Sequence, residues 1–160
     1  VGKSPLAETI EDRLNALGLH LPAAPAPAAN YVPWQRAGQQ IIIAGQLPMR
    51  AGRVAVTGRL GHGVSLEQGQ EAARLCALNI LAQVKAACEG QLPPDLRCLR
   101  LGGFVACIPE FVDHPKVING ASDLMVAAMG DAGRHARFAV GVASLPLGAA
   151  VEIDALFELG

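Results

Sequence analysis

Four histidines, four cysteines and twenty-seven charged Asp, Glu, Lys and Arg residues (14 acidic, 13 basic) supply most of the chemistry open to this 160-residue chain. Their spacing excludes much of it. His20, His62, His114 and His135 are scattered, and none sits in a zinc-type motif, where ligands recur at short fixed intervals. Cys76, Cys88, Cys98 and Cys107 form no C-x-x-C pair and have no histidine at ligand spacing. Reduced, buried thiols in a cytoplasmic protein are therefore expected, with no metal. No G-x-S-x-G elbow, Walker loop or dinucleotide fingerprint is present, so no cofactor is expected either. Net charge is −1 with no Lys/Arg block, which argues against a nucleic-acid partner, since phosphate neutralisation supplies most of such affinity. No apolar run approaches the roughly 18–20 residues of a membrane span.

The elements that must position any site follow from pattern. Ser4-Pro5 can open a first helix carrying Leu6, Ile10, Leu14 and Leu17, with Gly18 as its stop. The proline-rich stretch 21–27 reads as an extended linker. Residues 1–28 are thus set apart as helix and linker, and 29–160 as one domain. Tyr31 to Arg36 and Gln40 to Ala44 read as hairpin strands around Ala37-Gly38, and Val54 to Thr57 as a third short strand. Ser65-Leu66-Glu67-Gln68 is a capping box, and its helix runs to about Cys88. Leu99 to Ile108 reads as a long strand interrupted by Gly102-Gly103, and His114 to Met129 as a helix closed by Gly130. Phe138 to Val142 and Ala149 to Leu159 read as two further strands. In the last, Val151, Ile153, Ala155 and Phe157 alternate with Glu152, Asp154, Leu156 and Glu158, so one face is apolar and the other carries acids.

The fold class is therefore α/β of the α+β kind: a helix, then β-β-β-α-β-α-β-β. Right-handed crossovers would place both late helices on one face of a mixed sheet. The other face is then bare. Since 51% of residues are hydrophobic and only 17% charged, self-association is expected to cover it.

The run His135-Ala136-Arg137 through Leu145-Pro146 to Val151-Glu152-Ile153-Asp154-Ala155 resembles the signature of the RidA/YjgF family: A-R, a strand, L-P, then V-E-[IV]-[ED]-A. Ile43-Ala44-Gly45-Gln46-Leu47-Pro48 is similar to that family's S-G-Q-[IL]-P. Tyr31 falls where the family has an early tyrosine, and Val117-Ile118-Asn119 resembles the segment carrying its asparagine. The resemblance covers about residues 29 to 158. It implies a chorismate-mutase-like fold, a homotrimer with ligand clefts between neighbouring chains, and hydrolysis of 2-aminoacrylate-type enamines and imines to 2-keto acids and ammonia. It further implies that Arg137 holds the substrate carboxylate and that Glu152 positions or activates water. Tyr31, Gly45 and Asn119 would complete the binding set. Many deaminating members carry a cysteine two residues after the arginine, where this chain has Ala139.

Each of these residues has a structural alternative. Arg137 could pair with an acid across an interface, Glu152 could be a solvated strand residue or a salt-bridge partner, and Asn119 could hold helix or turn backbone. Cys107 is expected in inert core, His114 as a helix cap and His135 in a loop. Two other functions compete with the deaminase: a non-catalytic sensor of small carboxylates such as 2-keto acids, and endoribonuclease or translation inhibition. Near-neutral charge and 4% aromatic content count against the last.

Overall fold

Thr9 and Ser65 set where the first two helices begin. In the computed structural model, which describes residues 7–27 and 29–160, Thr9 Oγ1 accepts from the Asp12 N–H at 3.0 Å and the Asp12 carboxylate accepts from the Thr9 N–H at 3.0 Å. This reciprocal pair satisfies donors that a helix start leaves unpaired, and α1 spans Ile10–Ala16. The expected start at Ser4-Pro5, with Leu6, lies outside the described residues. Because residues 7–9 are not helical, α1 is shorter than its sequence pattern suggests. Leu14 of the expected stripe is buried, whereas Leu17 is 49% exposed.

The second box forms as expected. Ser65 Oγ accepts from the Gln68 N–H at 3.1 Å and Gln68 Oε1 accepts from the Ser65 N–H at 2.9 Å, and α2 spans Leu66–Ala87. Ser65→Ala removes one acceptor and should cost about 1 kcal/mol. A urea midpoint equal to wild type would show that this cap contributes nothing.

Strands β1 (Trp34–Ala37) and β2 (Gln40–Gln46) pair as a hairpin around Gly38-Gln39. Two small ribbons follow, β3 (Met49–Arg50) with β4 (Arg53–Val54), then β5 (Arg59–Leu60) with β6 (Gly63–Val64). After α2 come β7 (Arg97–Ala106), α3 (His114–Met129), β8 (Ala136–Val142) and β9 (Val151–Glu158). The main sheet has the order β1-β2-β9-β7-β8. Strand β9 runs antiparallel to both neighbours, while β8 is parallel to β7.

The expected third strand, Val54 to Thr57, does not join this sheet. β2 already carries β1 on one side and β9 on the other, so it has no free side for this segment. The segment instead runs beside the start of β9, with Val56 O accepting from the Ala150 N–H at 3.1 Å. Gly102 and Gly103 do not break β7 either. They allow close approach: a β-carbon on Gly103 would lie 2.6 Å from Ile118 Cγ1, so α3 rests directly on the strand.

Both α2 and α3 pack on one face, over Ile41, Ile43, Leu101, Val105, Ile153 and Phe157, all buried. The alternation read for β9 holds residue by residue. On the opposite face Ile42, Phe138 and Val140 stand 50%, 37% and 43% exposed.

Candidate functional site

The expected site residues fall into two groups, each assembled by its own part of the sheet. Arg137 lies on β8, an edge strand, in register with Leu101 of β7, which is in turn in register with Ala155 of β9. These positions share the helix-covered face, so the arginine reaches toward α3. Its Nη1 donates to Asn119 Oδ1 at 2.8 Å and to Ser122 Oγ at 3.1 Å, and its Nη2 donates to Pro115 O at 3.4 Å.

Ser122 is itself held. A carbonyl can only accept, so the 2.6 Å contact between His135 Nδ1 and Gly133 O places a proton on Nδ1. In the neutral ring Nε2 then accepts from the Ser122 hydroxyl at 2.8 Å, which leaves Ser122 Oγ lone pairs for Arg137. A guanidinium has five N–H donors, and three are engaged. Among the described residues Nε–H and the second Nη2–H have no partner, and Arg137 makes no ion pair. Nε and Nη2 are neighbouring nitrogens on one edge of the planar fork, the edge that can grip a carboxylate bidentately.

Glu152, Gly45 and Tyr31 form the second group. Glu152 is in register with Phe104 and, through it, with Val140, on the face without helices. Gly45 sits where β2 breaks register between Ile43 and Gln46. A β-carbon there would overlap Glu152 Oε1 and come 3.0 Å from its Cδ, so only glycine lets the carboxylate lie across β2. Tyr31, 48% exposed, lines a cleft with Pro25, Pro27, Gly45 and Leu147. One wall of that cleft is the proline-rich segment, which buried Gln83 pins by donating to Pro25 O at 2.7 Å.

Burial raises the Glu152 pKa above its ordinary value of 4.5, and the negative charge of Asp154 adds to the shift. A carboxyl with a raised folded pKa contributes stability while protonated, fully below about pH 4.5, and loses it as pH rises through the raised value. Glu152→Gln stays neutral. It should therefore gain stability relative to wild type at pH 7 and lose that advantage at pH 4. Urea titrations at both pH values, with the same difference at each, would contradict this.

Within one chain Arg137 and Glu152 lie on opposite faces with β7 between their strands. Asn119 joins Arg137; Tyr31 and Gly45 join Glu152. Pattern reading missed Ser122 and His135 as the pair that orients Arg137. The available signal was Ser122 one helical turn after Asn119, with His135 two residues before the arginine. His114 also departs from expectation. It is the first residue of α3, after the N-cap Asp113, and makes no cap bond; its ring turns instead to Cys107 at 3.4 Å. No group of three or more metal-type ligands occurs among the described residues. No helix there is long and apolar enough to cross a membrane.

Residues 11–159 match the family described as "YjgF/chorismate_mutase-like, putative endoribonuclease". The match reaches back into α1, beyond the segment that carries the motifs. The chain is 49% identical over 147 residues to Protein TCP17 of Trypanosoma cruzi, covering 91% of each sequence. The crystal structure of the protein Atu1372, of unknown function, from Agrobacterium tumefaciens has a TM-score of 0.89 at 54% identity, over 94% of this chain and 92% of that one. E. coli TdcF with bound serine shares the fold, with a TM-score of 0.63 at 24% identity over 86% and 93%. By motif, fold and family match, the chain belongs to the RidA/YjgF family and has its chorismate-mutase-like α+β fold.

Proposed function

We propose that this protein is an enamine/imine deaminase that hydrolyses 2-aminoacrylate-type intermediates to 2-keto acids and ammonia. The observation that carries the reading is Arg137 at the sheet edge, held in place by Asn119, Ser122 and Pro115 O with N–H donors left over on Nε and Nη2. A small carboxylate docks there in two parallel bonds. The enamine takes a proton at its β-carbon as the C=C pair moves there, which gives the imine. Water then adds to the carbon bearing nitrogen, its proton passes to that nitrogen, and the C–N bond breaks to release ammonia and leave the keto group. That step needs a base, and Glu152 suits it: a carboxyl shifted toward neutral pH is better matched to proton transfer than an ordinary one. The serine in TdcF, a carboxylate ligand on the same fold, is in keeping with this substrate class.

Because one chain turns Arg137 and Glu152 to opposite faces, the working cleft takes Arg137 from one copy and Glu152 from its neighbour in a homotrimer. The apolar surface at Ile42, Phe138 and Val140 is what such an assembly would bury. Light scattering should then give three times 16.6 kDa, and a monomer would undo the shared cleft. The function is tested by running a serine or threonine dehydratase with and without this protein and following keto-acid release. No acceleration rejects the deaminase. In that case calorimetry with 2-ketobutyrate separates a sensor, which binds through Arg137, from a protein with no carboxylate site.

A further inference from the structure

Cys107 and His114 lie outside the groups described above, and the fold brings them together from either end of the β7–α3 connection. Sγ and Nε2 are 3.4 Å apart. The His114 ring is held edge-on against Phe111, with centroids 5.3 Å apart. Cys107 is only 8% exposed, and Gly141 of β8 leaves space beside the pair: a β-carbon there would lie 2.5 Å from His114 Nε2 and 2.7 Å from Cys107 Sγ. Sulfur and imidazole therefore line a cleft of about 440 Å³, bounded also by Pro109, Val142 and Arg59. Arg59 has no ion-pair partner among the described residues.

We propose that Cys107 and His114 form a nucleophilic thiol–imidazole site for small α,β-unsaturated carboxylates, with Arg59 attracting the acid. With its proton on Nδ1, His114 accepts the thiol proton at Nε2 as sulfur attacks the β-carbon. The S–C bond forms, the C=C π pair moves to the α-carbon, and His114 returns the proton there. The product is a thioether, and no electrons are lost or gained. Burial pushes the Cys107 thiol up, so it rests as the thiol and needs the imidazole at the moment of attack.

The native chain is treated with monomethyl fumarate or dimethyl fumarate, and adducts are mapped by mass spectrometry. Cys88, a partly exposed thiol with no histidine contact, is the reference on the same molecule. Cys107 should react before Cys88, while Cys76 and Cys98 stay unmodified in the folded protein. The preference for Cys107 should be larger with the anionic monoester, and Arg59→Gln should erase that excess. His114→Asn should slow Cys107 about 100-fold, the scale of a lost general base, and leave the Cys88 rate unchanged. Adducts on Cys88 first, or an unaltered Cys107 rate in His114→Asn, would overturn the site. Equal preference for the two esters would overturn its selection of acids.

Discussion

Arg137→Ala should abolish carboxylate binding and lower the proposed deaminase rate about 10²–10³-fold, equivalent to about 3–4 kcal/mol of lost transition-state stabilisation. The loss is large because the residue is prepositioned. Nη1 is fixed by Asn119 and Ser122, and Ser122 by His135, so little side-chain entropy remains to be lost on binding. Arg137→Lys should fail to rescue. An ammonium has three donors on a flexible stem and cannot satisfy Asn119, Ser122 and a carboxylate's two oxygens together. Ser122→Ala should fall between, with weaker binding of 2-ketobutyrate and an intact fold, because it loosens the guanidinium without removing it. Calorimetry and the dehydratase-coupled assay read these effects separately. Full activity in Arg137→Ala would mean that the carboxylate is held elsewhere.

Gly120→Val should be strongly destabilising, by about 3 kcal/mol. Gly120 is where α3 crosses α2. A β-carbon there would overlap the Gln70 carbonyl oxygen and lie 3.0 Å from Gln70 Cα. Those are backbone atoms of another helix and cannot rotate aside, so the helices must separate. Intrinsic helix propensity opposes this by a few tenths of a kcal/mol, since glycine is the poorer helix former. A lowered urea midpoint would therefore report packing and not propensity. The change should also weaken carboxylate binding, because α3 carries Asn119 and Ser122. Gly38→Asn is the control: Gly38 has a left-handed φ of 60° with open space around it, which asparagine tolerates. A midpoint in Gly120→Val as high as in the control would contradict the contact.

The sequence by itself determined whatever depends on neighbours along the chain. The box at Ser65 and Gln68 located α2, the helical stripe with Gly130 located α3, and strict alternation assigned both faces of β9. The motifs around Arg137, Glu152 and Gly45 identified the family for the same reason, since each is a local run with fixed spacing. Where pairing partners compete, local pattern was silent. Val54 to Thr57 has the composition of a strand, yet β2 had no free side to receive it. The glycine pair in β7 read as an interruption, and became a contact only once Ile118 was set against it.

The site shows the same division. Its residue types were legible, but their grouping was not, because which side chains share a face depends on register across strands far apart in sequence. Only the tertiary structure turned Arg137 toward Asn119 and away from Glu152. Only it brought Cys107 and His114 within 3.4 Å, because the path of the connection between β7 and α3, and not the seven-residue spacing alone, decides whether its two ends meet.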